Sequence, residues 1–320
     1  MQYRQLGNTG LEVSILGLGG NTFGKHATFG HYNDEQESIA VVQHAADLGI
    51  NLIDTADMYS GGVSESYIGK AIVGRRDDLV ILSKVGKSLD HDPEYCDLSR
   101  QHIMDSVEGS LRRLGTDYLD LYCAHAPDPT TPLEETLQTF DDLIRQGKVR
   151  YIGCSNFSGT EIASANDVAD NRGYAAFVLS QSSYSLLDRS IETDVLPYCL
   201  KRGMSVVAYG PLAQGVLTGK YKRGAAIPVA TRAWENPSEN LAESMTDETL
   251  ELVEQFDDWA KSHGHGVGEL ALVWLLAQSS VASVLTGVTS TDQLDANIKA
   301  TEWVLEGNLV EEVNRLCSVG

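Results

Sequence analysis

Residues 79–124 hold the pattern that decides the fold: LVILSK (79–84), SRQHIMDSVEGSLRRLG (99–115) and YLDLYCA (118–124). The first and last segments are short apolar runs typical of buried strands. The middle segment has apolar residues at helical spacing and ends at Gly115, where a helix C-cap is expected. A strand, a helix and a strand in this order predict one repeat of an α/β fold.

The same alternation extends along nearly the whole chain. Helical segments such as ESIAVVQHAADLG (37–49) and LEETLQTFDDLIRQG (133–147) separate most of the apolar runs. The eight candidate strands are ILGLG (15–19), NLID (51–54), LVILSK (79–84), YLDLYCA (118–124), VRYIGC (149–154), FVLSQ (177–181), SVVAY (205–209) and ASVLTG (282–287). Eight units across about 300 residues, with no break in composition, favour a closed (β/α)8 TIM barrel over an open doubly wound sheet. We therefore expect a single barrel domain spanning 1–320.

Three further segments lie outside the eight repeats. YRQLGNTGLEV (3–13) predicts a β-hairpin around Asn8-Thr9-Gly10 that closes the bottom of the barrel. TEWVLEGNLVEEVNRLCSVG (301–320) predicts a C-terminal helix. Residues 210–244 are irregular and rich in Gly, Pro and Ala, and loops of this length are usually functional or mobile.

Composition excludes several classes of function. The 320-residue chain has a formal net charge of −21, which would repel a nucleic-acid backbone. No apolar run reaches the roughly 18 residues of a membrane span, and the N-terminus lacks a signal-peptide pattern, so we expect a cytoplasmic protein without a membrane partner. Five widely spaced cysteines without a C-x-x-C pair argue against disulfides and against a thiolate metal site. No metal is predicted.

GLGGNTFGK (17–25) resembles two phosphate-binding loops but satisfies neither. A Walker loop needs Ser or Thr after its lysine, whereas His26 follows Lys25; a dinucleotide fingerprint needs a third glycine where Thr22 stands. The loop follows the first predicted strand, and its glycines can let backbone approach a ligand at the active face.

Polar residues converge on the end of the barrel where active sites lie. Asp54 ends the second predicted strand, Lys84 ends the third and His125 follows the fourth, while Tyr59 lies in the loop after Asp54. Asp54 and Lys84 could be a structural ion pair, which is the simplest alternative.

Together these side chains make a proton-transfer device. A tyrosine has a pKa of about 10, and a nearby ammonium lowers it by favouring the phenolate. Lys84 would supply that charge, Asp54 would hold Lys84, and neutral His125 could donate a hydrogen bond to a substrate carbonyl. The sequence therefore predicts a carbonyl-reducing site that needs a hydride donor.

Three segments resemble those that carry the Asp, Tyr, Lys and His tetrad of the aldo-keto reductase family: IDTADMY (53–59), ILSK (81–84) and LYCAHAPD (121–128). The resemblance extends through GKVRYIGCSNF (147–157) and VVAYGPLAQGVLTGKY (206–221). It is closest to the longer-chain branch that includes potassium-channel beta subunits. It implies that Asp54, Tyr59, Lys84 and His125 are catalytic.

The resemblance also implies a nicotinamide cofactor that lies extended across the barrel mouth. The implied carboxamide-binding residues are Ser155, Asn156 and Gln181, with Tyr209 stacked on the ring and Asp54 beside it. Residues near the ribose and the diphosphate would be Gly20, Asn21, Gly210, Leu212, Gln214, Gly215, Leu217 and Lys220. Residues at the adenosine end would be Gly287, Thr289, Gln293 and Asn297, assisted by Arg232.

Cofactor choice depends on this adenosine end. Aldose-reductase-like members place a Lys and an Arg there, where this chain has Gly287 and Gln293. In the channel-subunit branch an Arg from the long loop assists, and Arg232 matches its position. NADPH is therefore the expected cofactor, with NAD possible.

Three functions follow from the resemblance. The leading hypothesis is reversible NADPH-dependent reduction of an aldehyde or ketone, with the proton from Tyr59. The alternatives are an NAD-linked dehydrogenase of a sugar or polyol, and a slow redox-sensing subunit that binds NADPH. The small-molecule substrate is expected to contact loops 25–33, 86–97 and 128–132 and the aromatic residues Phe23, Phe29, Tyr32 and Trp234. The sequence predicts no oligomeric state.

Overall fold

The computed structural model describes residues 1–25, 32–87, 95–229, 231–235, 241 and 245–317. Eight parallel strands close into a barrel in the order β10-β3-β4-β5-β6-β7-β8-β9, and a separate two-stranded sheet joins β1 to β2. This architecture confirms the predicted (β/α)8 barrel. The strands are β1 Tyr3–Gln5, β2 Glu12–Ser14, β3 Leu16–Gly19, β4 Leu52–Asp54, β5 Val80–Val85, β6 Leu119–Ala124, β7 Val149–Ser155, β8 Leu179–Ser183, β9 Ser205–Tyr209 and β10 Val281–Thr286.

Helices follow most of the barrel strands and pack around them. The α-helices in the described part of the chain are α1 Glu35–Asp47, α2 Val63–Ala71, α3 Arg100–Leu114, α4 Leu133–Arg145, α5 Gly159–Arg172, α6 Val195–Arg202, α7 Arg232–Glu235, α8 Asp247–Ser262, α9 Val267–Leu276, α10 Thr291–Ala300 and α11 Gly307–Leu316. Short 3-10 turns cover Tyr59–Gly62 and Ala213–Thr218. None of the described helices is both long and apolar enough to cross a membrane.

Local sequence sets the ends of these helices. The Ser99 side chain accepts a hydrogen bond from the backbone N–H of His102 at the start of α3, and Gly115 ends that helix in the left-handed conformation with φ 64°. Gly115 is therefore the C-cap that the sequence predicted.

The N-terminal hairpin closes one end of the barrel, as predicted. Leu6 donates its backbone N–H to the Leu11 carbonyl across the turn. The Arg4 guanidinium donates to the Val281 and Leu276 carbonyls, each at 2.6 Å, and so ties β1 to β10 and α9. Leu6 and Val13 join the apolar cluster that fills the barrel interior.

The predicted C-terminal helix is present, but it begins later than the sequence indicated. The helix α10 ends at Ala300 with Thr301 as its C-cap, and Glu306 has extended backbone before α11 begins at Gly307. Residues 301–306 therefore connect two helices instead of starting one.

Candidate active site

Three neighbouring barrel strands place the polar residues that the sequence singled out. Asp54 is the last residue of β4, Lys84 lies near the end of β5, and His125 directly follows β6. Tyr59 begins the 3-10 turn that connects β4 to α2. These four side chains, called the tetrad below, meet at the carboxyl ends of the strands, where the barrel interpretation expected them.

Lys84 is the centre of the tetrad. Its Nζ lies 2.6 Å from Asp54 Oδ1. The same ammonium donates to the Thr55 carbonyl at 2.8 Å and to the Tyr59 hydroxyl at 3.1 Å. An ammonium has three N–H donors, so each has a partner here, and the Lys84 side chain is 0% exposed. The Asp54–Lys84 pair is thus both an ion pair and one part of a larger hydrogen-bonded group.

Burial and the Asp54 carboxylate together set the charge of Lys84. Burial alone would lower the pKa of Lys84, but attraction to Asp54 and the hydrogen bonds to Asp54 and Tyr59 raise it above its ordinary value. Lys84 is therefore an ammonium at neutral pH.

The same burial acts on Tyr59 and corrects one expectation. Burial raises the pKa of the Tyr59 phenol above its ordinary value, with a further increase from Asp54, while Lys84 acts in the opposite direction. The predicted effect of the ammonium is present, but it is smaller than the effect of burial. Tyr59 therefore keeps its proton at neutral pH and is available as a donor.

His125 is held as a neutral imidazole beside Tyr59. Its ring centroid lies 5.8 Å from that of Tyr59, at an interplanar angle of 73°. Burial, with repulsion from Lys84 and Lys87, lowers the pKa of His125 well below its ordinary value. Nδ1 is buried and has no hydrogen-bond partner among the described residues. A neutral ring with its proton on Nε2 could donate to a carbonyl oxygen, as the sequence predicted.

The residues predicted for the nicotinamide end lie directly against the tetrad. Gln181 Nε2 donates to Asp54 Oδ1 at 2.7 Å. Asn156, whose φ is 63°, donates through Nδ2 to the His125 carbonyl at 2.8 Å and accepts at Oδ1 from the Tyr209 hydroxyl at 2.6 Å. Ser155 is also in this group, 3.2 Å from Asn156 Nδ2. Strands β7, β8 and β9 thus bring four predicted cofactor residues to the tetrad.

The segment after β9, residues 210–235, is called the cofactor segment below. Its first turns contain repeated left-handed backbone conformations, in Ala213 and Gln214 and in three glycines, Gly210, Gly215 and Gly219. Successive turns of this kind can direct backbone N–H groups toward an anion. A Cβ on Gly215 would lie 3.1 Å from Lys220 Nζ, so the cation sits over this turn.

Arg232 lies further along the cofactor segment. It begins α7, and burial lowers its pKa to about 10, with a small opposing effect of Tyr221. The guanidinium therefore remains charged at neutral pH.

Two predicted cofactor residues, Leu212 and Leu217, lie on either side of Gly215 in the first turns of the cofactor segment, and Leu217 is fully buried.

Two of the residues predicted for the adenosine end, Thr289 and Gln293, bond to each other at the start of α10. The Gln293 side chain accepts from the Thr289 backbone N–H at 3.0 Å and donates to Thr289 Oγ1 at 3.1 Å. A Cβ on Gly287 would lie 3.3 Å from Asn21 Oδ1, so Gly20 and Asn21 after β3 approach the same place. Asn297 lies one helical turn beyond Gln293 on α10.

The structure describes only some of the residues predicted to contact the substrate. Phe23 is 0% exposed and packs in the main apolar core, so it is not available to a ligand at the mouth, and that expectation is wrong. Tyr32 and Trp234 are 43% and 55% exposed. Phe29 and much of loops 25–33 and 86–97 lie outside the described residues. In loop 128–132, Asp128 accepts from the backbone of Leu98 at 2.8 Å and fixes the turn.

One acidic residue beside the tetrad was missed in the sequence. Asp57 lies in IDTADMY between Asp54 and Tyr59, and its Oδ1 is buried without a hydrogen-bond partner among the described residues. The signal available in the sequence was a further acidic residue between Asp54 and Tyr59 in IDTADMY. Its burial depends on α2 and α3 and could not be read from the segment itself.

Comparison with known proteins agrees with this geometry. The sequence matches the aldo/keto reductase family over residues 15–317. It is 36% identical over 309 residues to a probable voltage-gated potassium channel subunit beta of Arabidopsis thaliana, covering 95% of this chain and 92% of that protein. It is 35% identical over 319 residues to aldo-keto reductase YhdN of Bacillus subtilis, covering 99% and 93%. The holo form of aldo-keto reductase AKR11C1 from Bacillus halodurans has a similar structure, with a TM-score of 0.78, 31% identity and coverage of 99% and 96%.

The chain belongs to the aldo/keto reductase family. It is accordingly an NAD(P)H-dependent oxidoreductase whose general chemistry is carbonyl reduction with a nicotinamide cofactor.

Proposed function

We propose that this enzyme reduces an aldehyde or ketone to an alcohol with NADPH, and that Tyr59 donates the proton. The observation that carries the proposal is the position of Lys84 Nζ, 3.1 Å from the Tyr59 hydroxyl and 2.6 Å from Asp54 Oδ1. A phenol, an ammonium and a carboxylate in one buried chain can move a proton to a substrate oxygen and stabilise the phenolate that remains.

Each member of the tetrad has a distinct task. Neutral His125 donates a hydrogen bond that orients the substrate carbonyl, and Tyr59 transfers its proton to the same oxygen as negative charge develops there. Lys84 favours the phenolate left on Tyr59, and Asp54 holds Lys84 in place. The bound nicotinamide supplies the hydride. Read in reverse, the Tyr59 phenolate accepts the proton of an alcohol.

The preference for NADPH rests on the cations of the cofactor segment. Arg232 and Lys220 are the groups that we assign to the phosphates of the cofactor. A second candidate, NAD-linked oxidation of a sugar or polyol, is favoured by the adenosine end, where Gln293 and Thr289 bond to each other instead of presenting a cation.

The experiment that tests the proposal compares the oxidation of NADPH and of NADH with an activated aromatic aldehyde. Wild type, Tyr59→Phe and the control Tyr151→Phe, which alters a hydroxyl bonded to Thr9 at the opposite end of the barrel, are assayed together. We expect kcat to fall by about 10²- to 10⁴-fold in Tyr59→Phe and to stay near wild type in the control.

Each outcome decides between the candidate functions. Faster turnover with NADH would favour the dehydrogenase. Tight NADPH binding without turnover of any carbonyl would favour a redox-sensing subunit. Full activity in Tyr59→Phe would remove Tyr59 from its proposed role.

A further inference from the structure

Asp57 connects the Tyr59 turn to a second polar group outside the barrel wall. Its backbone N–H donates to the carbonyl of Lys84 at 3.3 Å, which joins the loop after β4 to the end of β5. The residue as a whole is half-buried, but its Oδ1 is inaccessible to solvent and has no hydrogen-bond partner among the described residues. An ionised carboxylate in this position lacks full compensation for its lost hydration.

Arg113, the cation near Asp57, forms an ion pair with the carboxylate of Glu65. Arg113 donates through Nε and through one terminal nitrogen to Glu65 Oε2, both at 2.7 Å, and Glu65 is fully buried. Ser83 donates to the other Glu65 oxygen at 2.6 Å. Asp57 is therefore a second acid beside an ion pair that is already complete.

Two glycines leave the space that Arg113 occupies. A Cβ on Gly62 would lie 2.6 Å from Arg113 Cδ, and a Cβ on Gly109 would lie 2.9 Å from one of its terminal nitrogens. Gly62 ends the turn that Tyr59 begins, with φ 85°. Arg113 therefore packs directly against the turn that contains Tyr59.

These surroundings make Asp57 titrate near neutral pH. Burial and repulsion from Glu65 raise the pKa of Asp57 to about 7, while Arg113, the Met58 backbone N–H and the Ser106 hydroxyl act in the opposite direction. The charge on Asp57 in turn raises the pKa of Tyr59.

We propose that Asp57 is a positioning residue for Tyr59, and that the gain or loss of one proton at its carboxyl group changes how readily Tyr59 releases its own proton. The inference rests on the proposed role of Tyr59 and deepens it. With Asp57 ionised, its negative charge opposes formation of the Tyr59 phenolate. With Asp57 neutral, the opposition is removed and Tyr59 is the stronger acid.

Other titratable groups face Asp57 and must be separated from it. Glu65 and Arg113 come from α2 and α3, Tyr122 comes from β6, and Lys84 comes from β5. The Ser106 hydroxyl also lies 3.4 Å from Nε2 of His102, a partly exposed residue. His102 is the histidine bonded to Ser106, so it requires its own variant.

The direct test follows Tyr59 by NMR, with ¹³C placed at the ring carbon that bears the hydroxyl. The Tyr59 resonance is assigned by its loss in Tyr59→Phe. In wild type we expect it to shift with an inflection near pH 7, the pH at which Asp57 titrates. The inflection should disappear in Asp57→Asn, persist in His102→Gln and move to higher pH in Ser106→Ala, because the Ser106 hydroxyl favours the ionised form.

The kinetic test measures alcohol oxidation between about pH 5 and pH 9, where the Tyr59 phenolate acts as base. Wild-type Asp57 is neutral below about pH 7, so kcat of Asp57→Asn should match wild type there and exceed it by about threefold or more above pH 7. The cofactor KM should stay unchanged, because Asp57 is not among the residues assigned to the cofactor.

The two tests separate failure of this inference from failure of the proposed function. An NMR inflection that survives in Asp57→Asn, or its absence from wild type, would overturn the role of Asp57, whatever the activity. A kcat reduced equally at every pH would also overturn it, since that pattern indicates a purely structural role. If Asp57→Asn does not fold, the test is whether the NMR inflection moves to higher pH in Ser106→Ala; an unmoved inflection would overturn the role of Asp57. Absence of turnover with every carbonyl and alcohol would remove the proposed function and leave the NMR result standing.

Discussion

The tetrad and the cofactor segment lie at the same barrel mouth, but they are built in different ways. The tetrad residues lie at or just beyond the ends of strands, and Lys84 has all three of its donors bonded and no exposed surface. The first turns of the cofactor segment, in contrast, depend on left-handed backbone, and Gln214 and Lys220 are exposed. The barrel fixes the reacting groups in advance, whereas the cofactor segment keeps Gln214 and Lys220 at the surface, where a ligand can reach them.

The most severe way to break this comparison is to remove the charge at the centre of the tetrad. Lys84→Met keeps most of the side-chain volume but leaves Asp54 as a buried carboxylate without its cation. We expect kcat for carbonyl reduction to fall by about 10³-fold, because the Tyr59 phenolate loses its stabilising ammonium. Steady-state kinetics would measure the loss. Lys70→Met, at an exposed pair with Glu35, is the matched control. A reduction of less than about tenfold would contradict the central role of Lys84.

A substitution in the cofactor segment should act on binding and leave the chemistry intact. Arg232→Ala should weaken NADPH binding by about ten- to fiftyfold and leave NADH binding nearly unchanged, because the guanidinium is proposed to pair with the 2′-phosphate. Fluorescence titration with both cofactors measures the difference. Arg223→Ala, in the same segment but paired with Glu251, serves as the control. Equal losses for NADPH and NADH would show that Arg232 has no specific phosphate role.

The smallest expected effect is on the stability of the fold at acid pH, which tests the burial of His125 without any cofactor or substrate. Burial lowers the pKa of His125 in the folded protein, so the unfolded chain binds this proton more readily. The stabilising contribution of neutral His125 is present above about pH 6.5 and is lost as pH falls below it, by on the order of 1 kcal/mol per pH unit. Denaturant unfolding at several pH values should show a shallower acid loss in His125→Asn than in wild type. His263→Asn, at an exposed histidine, should keep the wild-type slope. Parallel slopes in wild type and His125→Asn would contradict a depressed His125 pKa.

Much of the fold could be predicted from the sequence because strand runs, helix periodicity and caps agreed with one another. SVVAY (205–209) matches β9 at both ends, and Gly115 has the predicted left-handed conformation. The tetrad positions also followed, since residues at the ends of adjacent parallel strands must converge. The roles of these residues remain proposals.

Other features depended on packing that no local pattern encodes. Phe23 was expected to line an apolar substrate pocket because it is aromatic, but it is completely buried in the core. The ammonium effect on Tyr59 was expected from Lys84 alone, whereas the balance is set by the burial of the phenol. Asp57 was missed because the carboxylate that repels it, Glu65, is contributed by a different element.

The order of these parts along the chain matters for recombination between relatives. Asp54, Lys84 and His125 come from three successive strands, and most of the residues assigned to the cofactor come from the later strands and the loops that follow them. A chimaera joined in the loop between His125 and α4 would inherit its acid–base groups from one parent and most of its cofactor specificity from the other. The hydrogen bond of 2.7 Å from Gln181 to Asp54 crosses that junction, so it is a contact that both parents must share.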